Sequence, residues 1–270
     1  MKRYMVLDKE VGETPLAVLT AWKDEHPEYE HTPLTYAGRL DPMASGKLLV
    51  LIGDECKKRD QYTRLSKEYV VEVAFDVQTD TGDVLGLPEL YAHESKLKIQ
   101  DLSAALCKVQ GSHTILYPVF SSKTVQGKPL FMYALENTLD TITIPLHTET
   151  VHQTELLSLQ TRSASQLLDR ISSTLLLAPR AHERSKELGA DFRQEQIKTE
   201  WDKALMAVPC RTFSVATVRV VCTSGTYMRT LANRIGAALG THGTALSIHR
   251  TKIGCYLPLL RTGVWIRIYK

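Results

Sequence analysis

One carboxylate sits in a setting that invites chemistry. Asp41 lies inside Gly38-Arg39-Leu40-Asp41-Pro42-Met43-Ala44-Ser45-Gly46. An aspartate can attack as a nucleophile or move a proton. It can also do something plainer, because Asp before Pro is the pattern of a helix N-cap with proline in the first helical position. A cap explains two residues of the string and leaves the bounding glycines unexplained. A second string, Cys222-Thr223-Ser224-Gly225-Thr226-Tyr227-Met228-Arg229, places an arginine just after a glycine turn, at the start of a helix. That arginine points either into solvent or into a pocket at the helix start. Tyr69 heads an alternating apolar run, the place of a core residue whose end can open into a pocket.

Metal chemistry finds no comparable pattern. The five cysteines, at 56, 107, 210, 222 and 255, are widely spaced, without a C-x-x-C pair or a Cys/His cluster. They read as free thiols rather than zinc ligands. The acidic residues show no clustered ligand spacing, which counts against a metal-dependent nuclease.

Taken in order, these strings resemble the motifs of the TruB family of tRNA pseudouridine-55 synthases. The Asp41 string is similar to the family's Gly-x-Leu-Asp-Pro-x-Ala-[Thr/Ser]-Gly motif. Leu7-Asp8-Lys9 with Gly12 and Thr14 resembles its N-terminal segment, with Glu10 where proline is usual. Lys67-Glu68-Tyr69 with Thr79-Asp80-Thr81-Gly82-Asp83 resembles its second motif. Phe120-Ser121-Ser122-Lys123 with Gly127-Lys128-Pro129-Leu130 is similar to a later loop, and Arg250-Thr251 falls where a closing Arg-Arg-Thr lies. Together the matches span about residues 5 to 254.

The resemblance implies an α+β pseudouridine synthase fold, with a mixed, mostly antiparallel β-sheet flanked by helices and long loops. It implies an isomerase that breaks the N1–C1′ bond of a uridine, turns the uracil and rejoins it through C5. No oxidation is involved, so neither a cofactor nor a metal is expected. Asp41 carries over to the catalytic aspartate, and Arg229 to the arginine that pairs with it. Tyr69 carries over to the tyrosine that stacks on the target base, and Tyr227 and Ile248 to positions lining the base pocket. For Ile248 a place in the core is an equal alternative. Tyr36 stands where the family has a histidine that helps displace the base; a tyrosine can wedge or stack, with different hydrogen bonding. Whether Asp41 attacks the base or the sugar, or removes a ribose proton, stays open.

The implied partner is tRNA, with U55 of the TΨC arm as target, and the uridine must leave its stack to be reached. Lys57, Lys58, Arg59, Lys123 and Lys128 are candidates for backbone contacts, though for any one of them an ordinary surface residue is the stronger reading. Arg39 replaces a small or hydroxyl residue of many family members, and Gly-Arg-Leu-Asp also occurs in other pseudouridine synthase families. Two rivals therefore stand: the same chemistry on another RNA, and a non-catalytic RNA-binding or RNA-folding protein. A pure binder has no need of Asp41, Tyr69 and Arg229 together.

The positioning elements follow from periodicity. Residues 3–8 read as a short strand, and Thr14-Pro15 opens a helix to about Glu25. Residues 26–37 read as loop, 46–53 as a strand, and 54–66 as a helix with basic residues outward. Tyr69 to Val77 alternates as a half-buried strand, and residues 79–83 make a turn. Residues 98–110 and 225–240 have helical spacing, and 154–160 and 212–222 read as strands. Residues 112–148 show no sustained period and read as a long loop region. Residues 1–254 form the expected catalytic domain, with a charged helical insertion over about 160–206. Residues 255–270 are expected to be a short tail, too brief for a separate RNA-binding domain.

Composition bounds these readings loosely. The 270 residues are 43% hydrophobic and 23% charged, as in an ordinary globular domain. The net charge of +3 permits an RNA partner without showing one. No apolar run approaches the roughly 18 residues that cross a bilayer, and the start lacks the apolar stretch of a signal peptide. A cytoplasmic monomer that does not engage membranes is the expectation.

Overall fold

The alternation that begins at Tyr69 builds the centre of a large sheet. A computed structural model describes residues 2–178, 193–259 and 263–270. In chain order its strands are β1 (Tyr4–Lys9), β2 (Leu34–Ala37), β3 (Ala44–Ile52), β4 (Ser66–Phe75), β5 (Val77–Thr79), β6 (Pro88–Leu90) and β7 (Gly111–Leu116). There follow β8 (Thr124–Val125), β9 (Lys128–Pro129), β10 (Leu146–Ser163), β11 (Thr212–Cys222), β12 (Gly243–Pro258) and β13 (Gly263–Ile268). The helices are α1 (Pro15–Asp24), α2 (Arg59–Thr63), α3 (Ile99–Lys108), α4 (Leu130–Leu135), α5 (Ala164–Leu175), α6 (Gln194–Met206) and α7 (Met228–Ala238).

Among the described residues, one nine-stranded sheet runs in the order β1-β3-β12-β4-β11-β10-β7, with β2 added on β3 and β13 on β12. Its pairings are antiparallel except for β3 beside β12, which is parallel. The molecule is therefore α+β with a mixed, mostly antiparallel sheet.

Successive side chains of a strand point to opposite faces, so each central strand feeds two cores. Tyr69, Val71, Val73 and Phe75 of β4 join Val218 and Val220 of β11 beneath α3 and α7. Ala74, Phe213, Val215 and Leu246 face the other way, onto α5 and α6. There Trp201 is fully buried and donates its indole N–H to the carbonyl of Val84 at 3.1 Å. The helices of the charged insertion thus form the second layer of the domain. Residues 179–192, between them, lie outside the described residues.

Several expectations need correction. Residues 26–37 are not all loop: a 3-10 turn over Pro27–Tyr29 precedes β2. The expected helix over 54–66 is a 3-10 segment, Gly53–Lys58, followed by the short α2. Alternation stops at Asp76, whose φ of 66° breaks the strand before β5. The presumed loop over 112–148 contains β7, the β8–β9 ribbon, α4 and the start of β10. Its edge strand Gly-Ser-His-Thr-Ile-Leu is mostly exposed and has no buried residue, so no apolar period marks it. β10 begins at Leu146 rather than near Thr154, because its first half is polar. The presumed tail after Gly254 continues β12 to Pro258 and returns as β13, with Gly254 opposite Ile268. Tyr269 then closes a core with Ala37, Leu49, Leu51 and Ile253.

Candidate active site

The Asp41 string forms the connection between β2 and β3, with no helix after it, so the cap alternative falls away. The backbone turns at Gly38, φ +85°, and again as the N–H of Ala44 donates to the Asp41 carbonyl at 3.0 Å. Leu40 is buried in the core under α3 and α7, while Met43 is buried in the core under α5 and α6. The two side chains pin Asp41-Pro42 between opposite layers.

Two buried cations hold the loop by its carbonyls. The Lys9 ammonium donates to the carbonyls of Ala44 at 2.5 Å, Glu10 at 2.9 Å and Pro42 at 3.1 Å. Burial brings its pKa down to about 8, with Glu13 and Asp41 opposing. Arg250 donates to the carbonyls of Lys47 at 2.7 Å, Gly38 at 3.1 Å and Arg39 at 3.3 Å. The parallel crossing of β3 and β12 needs Gly46, since a Cβ there would lie 2.2 Å from the Arg250 carbonyl oxygen.

Arg229, in the first turn of α7, reaches Asp41 from behind. Its Nε donates to Asp41 Oδ2 at 2.7 Å, Nη1 to the Thr81 carbonyl at 2.9 Å, and Nη2 to the Phe120 carbonyl at 3.0 Å. Its side chain is 5% exposed while that of Asp41 is 40% exposed, so the arginine is a buried strut and the carboxylate faces open space. Gly82, φ +81°, lets the turn come this close, for a Cβ there would lie 3.1 Å from Arg229 Cβ. Asp83 lies 3.7 Å from the same Nε. Burial pushes its carboxyl above the usual range, and Arg229 pulls the other way.

A cavity of about 270 Å³ opens in front of Asp41, lined among others by Tyr69, Tyr227, Ile248, Lys67 and Arg250. At about 30 Å³ per water, that is room for a group of nucleobase size. Tyr69 presents a buried ring; burial raises its phenol pKa, so the hydroxyl keeps its proton at neutral pH, with Arg250 opposing the shift. Lys67 donates to the carbonyls of Thr63 and Leu65, each at 2.6 Å, and burial, helped by Arg250, lowers its pKa to about 7. A second cavity of about 260 Å³ lies on the other side, with Asp41, Arg39, Leu40 and Ser122 common to both.

The structure therefore gathers Asp41, Arg229, Tyr69, Tyr227 and Ile248. It does not gather Tyr36, which lines neither cavity. Tyr36 alternates with Ala37 on β2 and packs against the cluster of Val18, Leu19, Leu48 and Val50. Of the basic candidates, Lys57 pairs with Asp54 at 2.7 Å, Lys58 with Glu55 at 3.3 Å, and Lys128 with Glu136. Lys123 lies over the Tyr117 ring, 5.0 Å from its centroid. Lys9, Lys67, Thr81, Phe120 and Arg250 were visible in the motif strings, but nothing local announces that their job is to hold carbonyls or the arginine. Among the described residues no group of three or more His, Cys, Asp or Glu could hold a metal, and no helix is long and apolar enough to cross a membrane.

A half-exposed carboxylate, oriented from behind by an arginine and faced by aromatic and aliphatic walls, suits covalent or proton-transfer chemistry on a flat ring. Comparison with known proteins bears on the chain as a whole. The family model described as TruB family pseudouridylate synthase (N terminal domain) matches residues 29–174, more than half of the chain. The tRNA pseudouridine synthase B of Caldicellulosiruptor saccharolyticus is 25% identical over 256 residues, covering 95% of this chain and 69% of the relative. That of Burkholderia mallei is 27% identical over 254 residues, covering 93% and 64%, and that of Francisella philomiragia is 25% identical over 222, covering 81% and 55%. This chain thus spans roughly half to two thirds of the relatives' length. A solved chain from a Cbf5-Nop10-Gar1 complex shares the fold, with a TM-score of 0.54 at 17% identity over 93% of this chain and 49% of that one. With the family model covering more than half of the chain, the aspartate string included, the chain belongs to the TruB family of pseudouridylate synthases.

Proposed function

We propose that the chain isomerises a uridine of folded tRNA to pseudouridine, at position 55 of the TΨC arm, with Asp41 as the catalytic carboxylate. The observation that carries this reading is the Arg229–Asp41 hydrogen bond of 2.7 Å, at the edge of a cavity walled by Tyr69, Tyr227 and Ile248. A uridine turned out of its stack enters that cavity and lays its ring on Tyr69. Arg229 occupies Asp41 Oδ2, which leaves Oδ1 as the oxygen available to the substrate.

In the reaction the N1–C1′ bond breaks and a C5–C1′ bond forms. C5 loses its proton, N1 gains one, and no electrons are exchanged with a second reactant. Asp41 supports the break either by bonding to the base or the sugar, or by taking a ribose proton. Each route needs a fixed, ionised carboxylate, and the buried arginine supplies the fixing.

The test is tritium release from tRNA labelled at uridine C5, since that label leaves only when the base is rejoined through C5. Wild type is expected to release tritium and Asp41→Asn to fall by on the order of a thousandfold or more, as when a nucleophile is removed, with RNA binding little changed. Mapping the product then names the nucleotide. Full release by Asp41→Asn would sink the assignment of Asp41. Binding without release by wild type, on any folded tRNA, would favour the RNA-folding alternative.

A further inference from the structure

Two cavities meet at Asp41, and the chemistry just described uses one of them. The other, of about 260 Å³, is nearly as large as the one assigned to the uridine. Leu40, Pro42, Leu85, Phe120 and Phe131 give it apolar walls. Arg193 lies over the Phe120 ring, 5.1 Å from its centroid, whereas Phe131 has no ring or cation against it among the described residues. Ser121 lines the same cavity, 4% exposed, and its Oγ is buried without a hydrogen-bond partner. A buried hydroxyl that bonds to nothing costs stability, and few folded proteins keep many such groups. Apolar walls with an aromatic ring and one unpartnered hydroxyl suit a second base, stacked on the ring and bonded through its edge.

The passage between the cavities is made by four residues common to both: Arg39, Leu40, Asp41 and Ser122. Arg39 differs there from the other cations that line the cavities. Lys67 and Arg250 donate to carbonyls, and Arg229 donates to Asp41 and two carbonyls. The Arg39 side chain is exposed and, among the described residues, pairs with no carboxylate or carbonyl. Asp41 and Asp83 both line the second cavity, so an anion passing them needs a cation of its own. A guanidinium forks onto two phosphate oxygens, and the exposed Ser122 hydroxyl shares the passage. Consecutive bases of RNA are joined through one phosphodiester, so a strand with one base in each cavity carries an anion past Arg39.

We infer that the site takes two consecutive nucleotides: the target uridine in the first cavity, its neighbour's base in the second, and their linking phosphodiester on Arg39. The inference rests on the uridine reading of the first cavity.

The test pairs changes in protein and RNA. Transfer RNAs labelled at C5 of the target uridine carry a neutral methylphosphonate at one or the other flanking phosphate, or an abasic sugar on one or the other side. Dissociation constants, single-turnover tritium release and Tm are measured for wild type, Arg39→Gln and Ser121→Ala. Wild type is expected to lose about tenfold in affinity for one of the two neutral linkages, as for one charge-assisted hydrogen bond. It should lose about 10- to 100-fold for the abasic sugar on the same side. Arg39→Gln should bind intact tRNA about tenfold more weakly and no longer distinguish the neutral linkage. Ser121→Ala should bind intact tRNA more weakly, keep or raise Tm, and lose less than wild type to the abasic sugar. A neutral linkage that weakens Arg39→Gln as much as wild type would overturn the inference. So would abasic neighbours that cost nothing on either side, or a Ser121→Ala loss that tracks a lower Tm. Tritium release by wild type from intact tRNA keeps two failures apart. Without release the uridine reading falls and takes this inference with it, whereas release with losses that merely add removes this inference alone.

Discussion

At the scale of single residues, the site is organised by cations that do not face solvent. Arg229 spends one nitrogen on Asp41 and two on carbonyls, while Lys9 and Arg250 spend theirs on carbonyls alone. Lys67 is the one shifted furthest, with Lys9 next at about 8. The Lys67 pKa falls from the ordinary 10.5 to about 7, chiefly through burial and then through Arg250. Between those values the unfolded chain binds the proton and the folded chain does not, so this residue makes folding more favourable as pH rises. Relative to Lys67→Met, wild type should gain on the order of 4 kcal/mol of stability from pH 7 to about 10. Urea denaturation of both proteins across that range measures the difference, and parallel curves would refute the shift. The residue identities at this scale were legible in the strings; their geometry was not. Tyr36 shows why. It occupies a sequence position next to chemistry, but β2 pairs it with Val50 and turns it into the cluster under α1. Alternation on a four-residue strand, not distance along the chain, decides which side chain sees the cavity.

At the scale of elements, the β2–β3 connection depends on glycine where two backbones nearly touch. Gly46 has φ +103°, and any Cβ would meet both the nitrogen and the carbonyl oxygen of Arg250, at 2.8 and 2.2 Å. Gly46→Ala should therefore cost about 2 kcal/mol or more through strain and displaced backbone. The same shift would loosen the Arg250 clamp, so activity should fall further than the lost stability explains. Thermal unfolding and single-turnover rates on one preparation check both parts. Strands with strong alternation, such as β4 and β11, could be read directly because their two faces differ in polarity. β7 and the first half of β10 could not. They pair with each other at the sheet edge through Thr, Ser and His, and their strand state comes from a partner about 34 residues away, as in Thr114 beside Thr148.

At the scale of the whole molecule, the sheet serves two helical layers and ends in a hairpin that sequence alone makes look dispensable. β12 contributes Ile248 to the cavity and Arg250 to the clamp, then runs on to pair with β13. Truncation after Gly254 should remove that pairing and the buried Tyr269, which packs edge-on against Tyr4 at 4.9 Å and Tyr62 at 5.7 Å. Losing a large aromatic from a core costs about 3–5 kcal/mol, so the shortened protein should melt well below wild type. An unchanged Tm would show the hairpin to be an appendage. The α+β class was readable from the mixture of periods. The layering was not, because the pattern of residues 164–175 and 194–206 says amphipathic without saying which face of which sheet they cover.

The clamps on the Asp41 loop have a consequence for how the protein can change. Lys9 and Arg250 grip carbonyl oxygens of Gly38, Arg39, Pro42, Ala44 and Lys47, and a carbonyl is the same whatever side chain stands beside it. Arg39, which lines both cavities, can therefore be exchanged for another residue with the carboxylate held where it is. The loop separates a fixed working group from a rim that can be rewritten, so selection or design can adjust what the entrance admits and leave the chemistry alone.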